Sequence, residues 1–353
     1  MAGSIKAIGI GKTTLRYKPL YPADLLKFET LPSMRTVDDG RAQIANIIHQ
    51  QDDRLLVVVG PSSVRDPRSA LLYATLLYQA SLQFDSDLRI VMRCYVDKPR
   101  AASGWSGLLN DPLLDGSFEI NQGLRLARQL FVDITQMGLP VATELLGALS
   151  QLYFTDLVSV NLMETRMAES PLHRELASSV QFPVGFITKS AGELGPAVDA
   201  MAVASSEHHY ISATPEGRAA IAWTPGNDDC FVILQGDLPN GACGEHLISS
   251  TIDKLLHAQK SPVAVVDVSQ EGHSLKRQLG AIRELCTQVS AGEQGIVGVI
   301  LGSCLEKIDL EVPQSSSCEM DAGDCMDWKA TMSALEDLAT ATRKRREATC
   351  AMS

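Results

Sequence analysis

The stretch Leu55-Leu56-Val57-Val58-Val59-Gly60-Pro61-Ser62-Ser63 decides the fold. Five apolar residues in a row, without polar alternation, read as a strand buried on both faces, the pattern of a parallel sheet. Gly60-Pro61 then turns the chain sharply. Seven further strand candidates follow, most of them short β-branched or apolar runs of the same kind, at 88–94, 141–145, 158–163, 183–188, 230–235, 263–268 and 297–301. Helical periodicity lies between them. In Gln122 to Thr135, for example, Leu124, Ala127, Leu130, Phe131 and Ile134 share one face. Eight strands separated by helices predict an α/β fold, a (β/α)8 TIM barrel.

The rest of the chain is organised around that barrel. Residues 1–50 read as an N-terminal arm and a helix from Asp38 to Gln50, and 51–353 as the barrel. Gly9-Ile10-Gly11-Lys12-Thr13 is not a phosphate loop, because Lys6 stands where its first glycine is needed. Two short runs, 208–213 and 219–224, flank Thr214-Pro215-Glu216-Gly217 and predict an inserted β-hairpin at about 208–224. Residues 308–323 read as a loop. Ala330 to Arg346 reads as a closing helix whose Lys344-Arg345-Arg346 end complements the helix dipole.

Composition narrows the function classes. The 353 residues are 45% hydrophobic and 21% charged, as expected of a globular protein with an ample core. A net charge of −11 and a pI near 5.1 argue against nucleic-acid partners. No apolar run approaches the roughly 20 residues needed to span a membrane. The N-terminal residues lack the apolar core of a signal peptide. The eight cysteines form no CxxC pair and fit reduced thiols, so the expected location is the cytoplasm.

In such barrels chemistry sits at the C-terminal ends of the strands. The residues there are Ser62, Arg93, Glu144, Arg166, Ile187, Gln235, Gln270 and Gly302. Arg93, Lys98 and Arg100 either converge on a phosphate or carboxylate or belong to a solvated loop. Arg166 is placed for anion binding. Asp267, ending an apolar strand, is a buried hydrogen-bond hub or a general base. Asp324 is a catalytic acid or a loop aspartate. Lys189 is an anion ligand, an amine nucleophile or an exposed lysine. His173, Arg174 and Glu175 read as a helix-start network, and His208 and His209 as surface or interface residues on the hairpin.

From about Pro22 to Ala341 the chain resembles the type I 3-deoxy-D-arabino-heptulosonate 7-phosphate (DAHP) synthases. The blocks that carry the resemblance are Asp53-Arg54-Leu55-Leu56-Val57-Val58-Val59-Gly60-Pro61, Ile90-Val91-Met92-Arg93, Asp97-Lys98-Pro99-Arg100, and Gly104-Trp105 with Asn110-Asp111-Pro112. His173-Arg174-Glu175-Leu176-Ala177-Ser178, Pro183-Val184-Gly185-Phe186 and Gly226-Asn227 with Asp229-Cys230 continue it in order. The resemblance implies condensation of phosphoenolpyruvate with erythrose 4-phosphate at a metal held by Cys, His, Glu and Asp. Ser62 stands for that cysteine, Gln270 for the histidine and Gly302 for the glutamate, leaving Asp324. A hydroxyl is a far poorer ligand than a thiolate, and glycine offers none. In the phosphoenolpyruvate pocket the resemblance retains Arg93, Lys98 and Arg166. Ile187, Gln235 and Ser106 replace cations there. For the aldose phosphate Arg100 is kept, and Ala101 replaces a threonine.

These departures lead to an expectation of no metal and no other cofactor. The expected catalytic residues are Glu144, Asp267, Asp324 and Lys98. The expected substrate-binding residues are Arg93, Lys98, Arg100, Arg166, Lys189, Gln235, Gln270 and Ser62. The leading expectation is a barrel repurposed as a metal-independent enzyme of specialised metabolism. It would form carbon–carbon bonds by aldol-type condensation, or cyclise, a substrate bearing a carboxylate or enolate. One alternative is a genuine synthase of aromatic amino-acid biosynthesis with altered metal use. Another is a non-catalytic regulatory partner of an active synthase. The expected partners are a small anionic substrate and further copies of the chain, as a dimer or tetramer.

Overall fold

A computed structural model describes residues 6–10, 13–17, 31–98, 104–144, 146–147, 149–188, 193–214, 217–235, 244–269, 274–305 and 325–352. Eight strands close a parallel barrel: β3 (Leu55–Gly60), β4 (Leu88–Arg93), β5 (Val141–Thr143), β6 (Val160–Met163), β7 (Val184–Ile187), β10 (Cys230–Gln235), β11 (Ala264–Asp267) and β12 (Ile296–Gly302). Each pairs with its neighbour in parallel, and β12 closes on β3 with Gly302 opposite Gly60. The outer helices are α2 (Pro67–Gln83), α3 (Ile120–Gln136), α4 (Thr165–Ala168), α5 (Pro171–Ser179), α6 (Gly195–Ala204), α7 (Glu245–His257), α8 (Leu275–Ser290) and α9 (Trp328–Met352).

The unbroken apolar runs have a two-sided reason. Along β3, Leu55, Val57 and Val59 pack outward against the helices, while Leu56 and Val58 join Val91, Val160, Leu162, Ile233 and Val265 inside the barrel. Ile44, Ile47 and Ile48 of α1 (Leu31–Ile48) belong to that interior cluster. The Ser261 hydroxyl, just before β11, donates to the Ile48 carbonyl at 2.7 Å. Helix α1 thus plugs the end of the barrel where the strands begin, and the opposite end is left for chemistry.

That helix starts at Leu31, earlier than the Asp38 expected, because Pro32 is tolerated in a first turn whose N–H groups need no helical partner. The arm also holds paired strands that the sequence reading did not anticipate. β1 (Lys6–Ile10) and β2 (Thr13–Tyr17) run antiparallel, joined across Gly11-Lys12. A two-residue link containing glycine is a hairpin signal. The inserted hairpin is present as β8 (His208–Ala213) and β9 (Ala219–Thr224), with Ile211 opposite Ile221 and His209 opposite Trp223. The expected loop at 308–323 lies outside the described residues.

Helix α9 runs past its expected end and is tied back to the start of the barrel. Arg345 donates to the Ile296 carbonyl at 2.9 Å and to the Asp53 carbonyl at 2.7 Å. Arg346 grips the Asp53 carboxylate at 2.9 and 2.6 Å and the buried Asp87 at 2.7 Å. The basic helix end is therefore a fastening between the last element and the loops before β3 and β4.

Candidate active site

Arg93 ends β4 and is 4% exposed. Its place follows from the run before it: five apolar or aliphatic-stemmed residues bury β4, and the strand end delivers the guanidinium to the mouth. Nε donates to the Pro61 carbonyl at 3.0 Å and Nη1 to the Ser269 hydroxyl at 2.6 Å. Nη2 is buried with no hydrogen-bond partner among the described residues. The guanidinium also lies 5.5 Å from the centre of the Tyr95 ring.

Gly60 makes this position possible. A Cβ there would stand 2.6 Å from the Arg93 carbonyl oxygen and 3.3 Å from its Cβ. Gly60→Ala is expected to push the end of β4 aside, at a cost of roughly 1–3 kcal/mol in stability and roughly a tenfold loss of kcat/KM. Chemical denaturation and steady-state kinetics together check it, and an unchanged kcat/KM would refute the positioning argument.

Glu144 lies near the cation, Asp97 lies near Glu144, and Asp267 reaches Arg93 through Ser269. Glu144, one residue past β5, is 6% exposed. Burial, with Glu164 and Asp97 close by, pushes its carboxyl up to about 8, against the pull of the Glu164 backbone N–H and Arg93. Its Oε1 has no partner among the described residues. Asp267 ends β11 at 8% exposure. Its Oδ1 accepts from the Ser269 backbone N–H at 2.8 Å and hydroxyl at 2.7 Å. Asp97 accepts from the Lys98 backbone N–H at 2.9 Å. Burial and the Glu144 charge push the Tyr95 phenol well above its ordinary value, with Arg93 opposing.

The remaining expected residues are less closely gathered. Ser62 and Gln235 are half-buried at the ends of β3 and β10, Lys98 is half-buried, and Arg166 is exposed on α4. Arg100, Lys189, Gln270 and Asp324 lie outside the described residues. Ile187 is buried in the barrel interior. His173 bridges Ser170 and the Leu146 carbonyl at 3.0 and 3.1 Å, at the start of α5. His208 bonds the Val203 carbonyl at 2.8 Å, and His209 pairs with Glu207 at 3.0 Å. Ser269 was not singled out in the sequence. Its signal was local: an Asp two residues before a Ser, the spacing at which a carboxylate caps a turn.

A metal held by the donors that the resemblance implies does not fit the residues present. Ser62 carries a hydroxyl, Gly302 has no side chain, and a Cβ at 302 would point toward Ser269. Among the described residues no three His, Cys, Asp or Glu are grouped to hold an ion. A cavity of about 450 Å³ lies elsewhere, outside the barrel between Arg41, Phe182 and the hairpin residues Tyr210 and Trp223, and shares no residue with the mouth.

A closed parallel barrel with a buried cation and acids at its strand ends defines a (β/α)8 enzyme. The chain belongs to the DAHP synthetase I family, whose sequence profile matches residues 32–340, and so to a family of carbon–carbon bond-forming enzymes. It is 40% identical to a phospho-2-dehydro-3-deoxyheptonate aldolase of Alternaria alternata, over 94% of this chain and 91% of the relative. It is 38% identical to a tyrosine-inhibited one of Schizosaccharomyces pombe, over 94% and 93%. A Phe-sensitive one of Escherichia coli is 39% identical over 88% and 90%. The solved phospho-2-dehydro-3-deoxyheptonate aldolase of Francisella tularensis SCHU S4 superposes with a TM-score of 0.85 at 37% identity, covering 96% of this chain and all of that one.

These relatives overturn the leading expectation of a repurposed, metal-independent enzyme of specialised metabolism, cyclase included. Full-length similarity to aldolases of one name supports the genuine-synthase alternative instead. The physical reason is that the changes at Ser62, Gln270 and Gly302 remove donors for an ion, while the buried Arg93, Glu144 and Asp267 remain at the strand ends. Loss of one ligand set says nothing about gain of a new substrate. No described helix is long and apolar enough to cross a membrane.

Proposed function

We propose that this protein is a 3-deoxy-7-phosphoheptulonate synthase, joining phosphoenolpyruvate to erythrose 4-phosphate with release of phosphate. The observation that carries the reading is the buried Arg93, with one guanidinium nitrogen unspent, beside a carboxyl that holds its proton at neutral pH. A desolvated guanidinium is a strong partner for the carboxylate or phosphate of an enol phosphate. Lys98 and Arg166 extend the same anion pocket, and Arg100 would meet the aldose phosphate.

The chemistry asks for two proton movements. The methylene carbon of the enol phosphate attacks the aldehyde carbon, and the aldehyde oxygen must gain a proton. Water then adds at the neighbouring carbon, the one bearing the phosphate, gives up a proton, and phosphate leaves. Glu144, neutral below a pH of about 8, is suited to donate the first. Asp267, held by Ser269, is suited to accept the second. No step is assigned to a metal, because the donors present do not form the expected set. Self-association remains part of the reading. The outward face of the hairpin supports it, with Ile211 86%, Ile221 69% and Trp223 77% exposed.

Purified, metal-analysed protein incubated with both substrates, with and without manganese, is expected to release phosphate and a heptulosonate phosphate in equal amounts. No release under either condition would overturn the proposal.

A further inference from the structure

Arg93 commits two nitrogens to the protein and leaves a third. The Pro61 carbonyl takes Nε at 3.0 Å, and the Ser269 hydroxyl takes Nη1 at 2.6 Å. The second contact is the one with a direction built into it. The Ser269 hydroxyl hydrogen is spent on Asp267 Oδ1 at 2.7 Å, and the Ser269 backbone N–H holds the same oxygen at 2.8 Å. Only lone pairs of the hydroxyl remain, and they face the guanidinium. A carboxylate, a hydroxyl and a guanidinium therefore form a chain in which each donor has one acceptor.

The neighbouring strand end makes room for that chain. A Cβ at Gly302 would come within 3.2 Å of the Ser269 Cβ, closer than ordinary van der Waals contact. Any larger side chain on that bond would press on Ser269 and on the hydroxyl it presents. The glycine that removes a metal donor also frees the place in which Ser269 reaches Arg93.

We infer that Ser269 is a positioning residue. Anchored by Asp267, it fixes the plane of the Arg93 guanidinium so that the unspent Nη2 faces the anionic group of the substrate. The inference rests on the proposed synthase reading for the identity of that anion, phosphoenolpyruvate, and on nothing else in it.

The test is a kinetic and calorimetric series on the full chain. Ser269→Ala is expected to raise KM for phosphoenolpyruvate by roughly tenfold, with the KM for erythrose 4-phosphate nearly unchanged and the fall in kcat well below tenfold, because the backbone N–H at 269 still holds Asp267. Ser269→Thr keeps the hydroxyl and should stay within about threefold of wild type. In an Arg93→Lys background, which has no fork to orient, Ser269→Ala should add no further loss. Melting temperatures of all variants separate folding from binding. Equal damage from alanine and threonine, no change in KM, or the same added loss in the lysine background would each overturn the inference. If wild-type protein neither turns over the pair nor binds phosphoenolpyruvate, the synthase reading fails. Inorganic phosphate is then the calorimetric probe: weaker binding by Ser269→Ala sustains the positioning role, and equal binding refutes it.

Discussion

Arg93→Ala is expected to lower kcat/KM for phosphoenolpyruvate by at least about 100-fold. The side chain is 4% exposed and one of its nitrogens is unspent, so whatever it binds is removed from water. Charge-assisted hydrogen bonds in that setting contribute about 1.5–3 kcal/mol each, and an anion held by two of them loses both. Arg93→Lys should fall between, because an ammonium restores a charge without the planar fork. Initial rates at varied phosphoenolpyruvate measure the effect. A kcat/KM for Arg93→Ala within about threefold of wild type would remove Arg93 from the substrate site.

Glu144→Gln should change both rate and the pH dependence of stability. The wild-type carboxyl ordinarily titrates at 4.5 and is pushed up to about 8 in the fold. Below pH 4.5 both folded and unfolded chains hold the proton, and the group favours neither. Between about 4.5 and 8 the unfolded chain releases it while the folded chain keeps it, so stability falls as pH rises through that window. Above 8 both are ionised and the decline stops. Glutamine has no proton to release, so its profile should lose this component. The variant should be more stable than wild type at pH 8–9, by an amount on the order of a few kcal/mol. Its kcat should drop by roughly 100-fold or more, since glutamine offers N–H donors but no transferable proton. Urea denaturation across pH 5–9 decides the first half: parallel curves for the two proteins would mean that Glu144 is ionised in the fold.

The barrel was readable because most of its strands are short apolar runs, and an amphipathic segment separates most of them. Arg93, Glu144 and Asp267 were readable for a related reason: a charged residue that directly follows such a run is delivered to the mouth. What escaped the sequence was set by other parts of the chain. The raised carboxyl of Glu144 depends first on its burial and then on Glu164 and Asp97, and the bond from Arg93 to Ser269 spans 176 residues. The N-terminal hairpin was missed although its two-residue glycine link was visible. Arg166, expected at an anion site, is exposed on a one-turn helix that follows β6.

The functional expectation erred in one identifiable inference. Serine, glutamine and glycine at three ligand positions, with Ile187, Gln235 and Ser106 in place of pocket cations, were read as a change of substrate. Neither the loss of donors for an ion nor the replacement of cations by Ile187, Gln235 and Ser106 names a new substrate, and Arg93 and Glu144 stay buried at the barrel mouth. Arg93 and Glu144 sit on β4 and just past β5, whereas Ser62 and Gly302 border the β3–β12 seam.

That seam also constrains the order of events when the chain is made. β3 cannot complete its hydrogen bonds until β12 arrives, and Arg345 and Arg346 reach back 292 and 293 residues to Asp53. Contacts of such long range are slow to form. On a ribosome β3 must wait, with one edge open, until β12 has been synthesised. A message truncated shortly before codon 345 would yield a chain with every barrel strand and no fastening, a species expected to be recognised by chaperones and proteases rather than by substrate.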